Sequence, residues 1–156
     1  MPTIHLNTNI NAPIQTCFDL ARSIDLHLDT MQHTNEQAVA GVTGGLISPG
    51  ETVTWRARHF GVSLQMSIKI TEMMPVTSFT GEQIKGPFKK LKHRHIFQYI
   101  KPEQTLMIDE FEFASPLGIL GRLADTLVLK KYLTDLLINR NKIIKNKAEN
   151  FHENLT

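Results

Sequence analysis

The chain has 156 residues, 41% of them apolar and 21% charged, with a formal net charge of +2 and a single cysteine. These figures fit one globular domain, residues 1–156, long enough to bury a sizeable core. They exclude an internal disulfide framework and a thiolate metal cluster, and so small a charge gives no argument for a nucleic-acid partner.

The first ten residues, MPTIHLNTNI, alternate instead of forming a continuous apolar run. No secretory signal, no integral membrane association and a cytoplasmic location are therefore expected, which a lone cysteine also suits. Ile4, Leu6 and Ile10 share one parity against His5, Asn7 and Asn9, so Thr3 to Ile10 reads as a half-buried strand. Asn11 is a candidate cap for the next element and Pro13 suits its first turn. Ile14, Cys17, Phe18 and Ala21 follow with the spacing of a short amphipathic helix, which makes Cys17 a core residue. A second short helix is predicted from Ser23 to about Met31.

From about Glu36 to Phe113 the signals are strands and turns. Pro49-Gly50 suits the centre of a type II turn. Val62, Leu64, Met66, Ile68 and Ile70 alternate with Ser63, Gln65, Ser67, Lys69 and Thr71, the pattern of an antiparallel strand with one wet face. The end of the chain changes character. Ser115 and Pro116 suit the start of a helix, and Gly118 and Gly121 suit close packing there. Leu120, Leu123, Ala124, Leu127, Leu129, Leu133, Leu136, Leu137, Ile143 and Ile144 then form a long apolar stripe. Lys142, Lys145 and Lys147 suit the negative pole of that helix. The fold class is α+β: a strand, two short helices, about six strands and a long helix that covers the apolar face of a curved antiparallel sheet.

In GPFKKLKHRHIF, residues 86–97, parity separates two faces. Leu91, His93, His95, Phe97 and Tyr99 share one, and Lys90, Lys92, Arg94 and Gln98 the other. Lysine and arginine belong in water, so the histidines point inward. A short turn at Lys101 to Gln104 sets His95 opposite Asp109 on the next strand, and His59 alternates inward on an earlier one. Three readings of this group stay open. It is a polar patch satisfied by Asp109, backbone or water; or it hydrogen-bonds a guest; or it does chemistry, with His95 a general base oriented by Asp109, or with a metal on His59, His93 and His95. No metal site is assigned among these. The outward ladder of Lys85, Lys89, Lys90, Lys92 and Arg94 reads as a solvated, largely unpaired face, without the interleaved aromatics of a nucleic-acid platform.

Three segments, TVTWRARHFGV (52–62), FTGEQIKGPFKKLKHRHIF (79–97) and DEFEFASPLGILGRLADTL (109–127), together with the order of elements, resemble the START, polyketide-cyclase and pollen-allergen superfamily, SRPBCC, and within it small bacterial stand-alone members. The resemblance implies a helix-grip fold of about seven strands wrapped around the last helix. It also implies a hydrophobic cavity that in this family commonly holds lipids, polyketides or other apolar molecules. The sequence departs from the family pattern at Gly81, Leu91 and Phe113, where aspartate, tryptophan and tyrosine are common, which removes one acid and two polar handles.

The expectation is therefore a protein that binds a small hydrophobic partner (lipid, polyketide-like or aromatic), without a cofactor and as a monomer or homodimer. Trp55, Met66, Phe79, Phe97, Phe111, Phe113 and Leu127 are the expected apolar lining, and His59, His93, His95 and Asp109 the polar contacts. The alternatives are a cyclase- or dehydratase-like enzyme using His95 and Asp109 as its catalytic candidates, and an interaction module with a closed interior.

Overall fold

The computed structural model describes residues 2–115 and 118–155. Strand β1 (Thr3–Ile10) is followed by helices α1 (Ile14–Ala21) and α2 (Ile24–Thr30). Six further strands come next: β2 (Gln37–Gly41), β3 (Thr52–His59), β4 (Val62–Met74), β5 (Ser78–Lys85), β6 (Lys90–Lys101) and β7 (Gln104–Ala114). The chain ends in α3 (Gly118–Ala124), a π-helical turn (Asp125–Leu129) and α4 (Lys130–Leu155). All the strands belong to one antiparallel seven-stranded sheet ordered β1-β7-β6-β5-β4-β3-β2. Hairpins link consecutive strands from β2 to β7, and β1 closes the far edge by pairing with β7. The two short helices bridge the sheet's ends, and α4 packs across the sheet and against α1 and α2.

Local chemistry explains most boundaries. Ser23 caps α2 by accepting a hydrogen bond from Leu26 N at 3.2 Å. Gly50 has φ +79°, as the third position of a type II turn requires, and Glu51 N donates to Ser48 O at 3.1 Å. The turn carrying Gly86-Pro87-Phe88 is tied at both ends to one side chain. Gln83 Nε2 donates to Phe88 O at 2.6 Å, and Phe88 N donates to Gln83 Oε1 at 3.2 Å. A Cβ on residue 86 would lie 2.5 Å from that Oε1, so a larger residue would push the Gln83 amide away from the turn it ties.

Apolar alternation becomes the core. Ile10, Cys17, Phe18, Phe79, Phe97, Met107, Ile144 and Ala148 pack together where α1 and α4 meet the sheet. Ile4, Leu91, Phe111, Phe113 and Leu137 form a second cluster. Burial pushes the Cys17 thiol up to about 11, which suits an inert core residue.

Several expectations are corrected. Asn11 does not cap α1: the residue before the helix is Pro13, without a side-chain cap, and Asn11 N instead donates to Glu149 Oε1. Pro116 lies outside the described residues. Gly118 has φ +59° with open space around it, so backbone freedom rather than close packing accounts for the glycine. Tyr99 is exposed although it still pairs in register with Thr105, at the end of β6 just before the ladder shifts. Lys142, Lys145 and Lys147 lie well before the end of α4; Lys145 Nζ instead donates to Asn9 O and Glu149 Oε1. Lys90 and Arg94 are exposed as expected but not unpaired, facing Glu112 at 3.6 Å and Glu110 at 3.8 Å on β7.

The apolar stripe of the terminal helix also divides. Leu120, Leu123 and Leu127 are exposed, whereas Leu129 and Leu133 pack on the second cluster and Leu137 and Ile144 are buried. The π turn, which carries Leu127 and Leu129, fits an extra residue into the helix and shifts the phase of its side chains. Among the described residues, no helix is long and apolar enough to cross a membrane.

Candidate functional site

The concave face of the sheet and the buried side of α4 enclose a cavity of about 370 Å³. Its walls carry Trp55 and Ala57 from β3, Leu64, Met66 and Ile68 from β4, Phe79 from β5, Phe111 from β7, and Leu133, Leu136 and Leu137 from α4. Apart from Arg22, Ser23 and Ser115, which also border it, polar groups cluster in this apolar surround at two places.

The first is built on the β6–β7 hairpin. Antiparallel pairing sets His95 opposite Asp109 and His93 opposite Phe111. Asp109 is fully buried, an arrangement that is costly unless both carboxylate oxygens find partners. They do. Oδ1 accepts from His93 Nε2 at 2.7 Å, with His95 Nδ1 at 3.3 Å and Arg140 Nη1 at 3.6 Å. Oδ2 accepts from Asn141 Nδ2 at 2.7 Å. Arg140 is itself buried and spreads its other hydrogen bonds over Asn141 Oδ1 at 3.0 Å, Ala21 O at 3.3 Å and His95 Nδ1 at 3.5 Å.

Burial would raise the Asp109 carboxyl, but hydrogen bonds from the two histidines and the nearby guanidinium hold it well below the usual carboxylate range. Burial lowers the His93 imidazole, against the pull of Asp109, and lowers His95 further, with help from neighbouring His93. At neutral pH the group is thus a carboxylate matched by a guanidinium, with two neutral imidazoles between the carboxylate and the cavity, which Arg140 also borders. Facing a carboxylate, His93 carries its proton on Nε2. The imidazoles are held by rings: His95 lies over Phe79 with centroids 4.2 Å apart and over His93 at 3.7 Å, and Phe111 meets His93 edge-on at 5.1 Å.

The second polar place lies along α2, β3 and α4. His59 Nδ1 is 2.6 Å from Tyr132 Oη, and the His27 ring stacks on Trp55 at 4.1 Å. Burial lowers His59 and raises Tyr132 from their ordinary values.

Of the residues singled out from sequence, Trp55, His59, Met66, Phe79, His93, His95 and Phe111 border the cavity. Asp109 does not; it stands behind the histidines. Phe97 is displaced into the core, where Phe18 of α1 packs against it at 5.5 Å. Phe113 is sealed beneath Phe88 and Phe111. Leu127 is 65% exposed on the π turn. His59 is not grouped with the other two histidines as a potential ligand set; among the described residues the set with ligand atoms within 4.8 Å of one another is His93, His95 and Asp109. Gly81 and Leu91 line the cavity, and a Cβ at residue 81 would sit 3.0 Å from Ile68 Cγ2.

Sequence reasoning missed Arg140, Asn141, Tyr132, His27 and Glu36. The first two had a signal. Leu133, Leu137, Arg140, Asn141, Ile144 and Ala148 recur at helical spacing, so one buried face carries the polar pair.

No family model and no curated protein sequence matches this chain. Solved structures do. A START superfamily protein from Mycobacterium smegmatis is 14% identical with a TM-score of 0.72, over 96% of this chain and 98% of that one. The Zhui aromatase/cyclase from Streptomyces is 10% identical with a TM-score of 0.66, over 91% and 93%. A major latex-like protein from Panax ginseng is 16% identical with a TM-score of 0.67, over 94% and 97%. With seven antiparallel strands curved around a long terminal helix and two short helices after the first strand, this chain has the helix-grip fold of the SRPBCC type.

Proposed function

We propose that this protein, acting as a single ligand-binding domain, binds a small hydrophobic molecule in the cavity between the sheet and α4. The observation that carries the reading is the cavity itself: about 370 Å³, walled mainly by aliphatic and aromatic side chains, with histidines at restricted places. A core evolved only for stability would be packed to the density of an organic crystal. The fold supports the reading, since it is shared with a START superfamily protein and an aromatase/cyclase. The imidazoles of His93 and His95, neutral at pH 7, suit a hydroxyl or carbonyl on the guest. A cytoplasmic setting belongs to the proposal and rests on the lone, buried Cys17.

The test is uptake of the neutral apolar dye N-phenylnaphthylamine. One dye per chain should bind with a rise in fluorescence, and Ala57→Phe, which places a ring in the cavity, should abolish uptake while the melting transition persists. Uptake unaffected by Ala57→Phe would put the dye elsewhere and count against the reading.

One observation favours a second reading, proton-transfer chemistry of the cyclase or dehydratase kind. The 2.7 Å contact orients His93 on Asp109 as a general base is oriented by a carboxylate. His93, rather than His95, is then the candidate base, because it makes the shorter contact. Turnover of a polyketide-like substrate that is lost in His93→Ala and kept in His95→Ala would support it; equal loss in both would not.

A further inference from the structure

At one end of the cavity the charges balance, Asp109 against Arg140. At the other they do not. Asn35, in the left-handed conformation with φ 53°, ends the short turn after α2, and the next residue, Glu36, reaches back to His27. Its Oε1 lies 3.2 Å from His27 Nε2, and the side chain is only 6% exposed. Its other oxygen, Oε2, is buried without a hydrogen-bond partner among the described residues, and no lysine or arginine there pairs with the carboxylate. A buried carboxylate with one oxygen unmatched is costly, and such groups normally have a partner.

Glu36 borders the cavity, together with His27, His59, Tyr132 and Trp55. Its charge reaches across that space, opposing the effect of burial on His59 and adding to it on Tyr132. Trp55 and Tyr132 add aromatic rings beside the carboxylate, and ring faces attract cations.

We propose that His27, Glu36, His59 and Tyr132 form a second polar subsite of the cavity, which receives the protonated amino group of an otherwise apolar ligand. The inference rests on the reading of the cavity as a ligand site and narrows it to a chemical class. An ammonium brings the donors that Glu36 lacks and the charge that no neighbouring cation supplies. An alcohol brings a donor without charge, and a fatty carboxylate meets repulsion.

The test is displacement of bound N-phenylnaphthylamine by octylamine, octanol and octanoate at neutral pH. The single tryptophan, Trp55, serves as a second reporter from inside the site. The amine should displace the dye at about tenfold lower concentration than the alcohol, the margin between a charge-assisted and a neutral hydrogen bond, and octanoate should be weakest. In Glu36→Gln, amine and alcohol should agree within about twofold. Equal displacement by amine and alcohol in the wild type overturns the subsite and leaves the apolar cavity standing. An amine preference that survives in folded Glu36→Gln also overturns it. Failure of the dye to bind at all removes the cavity reading and the subsite together. If Glu36→Gln does not fold, the wild-type ranking decides.

Discussion

His93 Nε2 donates to Asp109 Oδ1 across 2.7 Å, although the residue directly facing Asp109 in the β6–β7 ladder is His95, 3.3 Å away. Strand pairing brings both imidazoles within reach of one carboxylate, and stacking on Phe79 positions the His95 ring. Arg140 and Asn141 approach the same carboxylate from α4, so the cluster fastens the helix to the sheet.

That fastening has a measurable size. Asp109→Ala leaves Arg140 buried without its counter-charge and should cost about 3–5 kcal/mol in urea unfolding. His95→Ala combined with Asp109→Ala should be non-additive by at least ~0.5 kcal/mol, and the cycle with His93→Ala should couple more strongly. Additivity in both cycles would dissolve the cluster as a unit.

Stability should fall in acid, with a defined onset. Burial lowers His93 and His95 from the ordinary imidazole value of 6.5, so just below that pH the unfolded chain binds protons that the folded one refuses. Their contribution is fully present above pH 6.5 and is lost as pH falls toward the lowered folded values. Asp109 acts in the same sense further down, from its ordinary 3.8. Urea unfolding at about pH 7.5 and about pH 5.5 should therefore show a clear loss, at most ~1.4 kcal/mol per pH unit per group, and replacing both histidines with glutamine should reduce it to the share left by His59, which burial also lowers. A wild-type profile that is already flat would mean that the imidazoles are not held neutral.

The outer face of β6 should matter little. Lys90 and Arg94 pair with Glu112 and Glu110 in the open, where such pairs contribute little. Changing Lys90, Lys92 and Arg94 together to glutamine should cost no more than ~1 kcal/mol by thermal or urea unfolding. A loss above ~2 kcal/mol would contradict the placement of this face in water.

Removing the helix is a different matter. Ending the chain at Leu120 takes away Leu137, Ile144 and Ala148 from the core, and Arg140 and Asn141 from Asp109. The truncated protein should aggregate or lose cooperative melting. A soluble truncation that still melts sharply would contradict the packing of α4 on the sheet.

Much of this fold was legible because half-buried strands record their faces by parity. Ile4 buried beside His5 exposed, and His95 buried beside Arg94 exposed, follow directly from alternation. The His95–Asp109 register was legible because the turn between β6 and β7 is short. The site was less so. Leu127 was misplaced because the spacing of leucines does not reveal a π turn, and Phe97 because nothing local signals that Phe18 covers it. Arg140 was overlooked because a charged residue on a helix is ordinarily in water; its buried role depends on Asp109, which lies on a distant strand. Glu36 has no pattern around it, and its burial comes from the way α2 folds over β3.

The most direct measurement is native mass spectrometry of freshly purified protein, followed by solvent extraction of the same sample. A fraction of the chains should carry a single small non-covalent adduct, and the extract should hold an apolar molecule of matching mass that Ala57→Phe protein lacks. Wild-type protein that is free of any adduct, yields nothing to solvent and takes up no N-phenylnaphthylamine would contradict the assignment of the cavity as a ligand site.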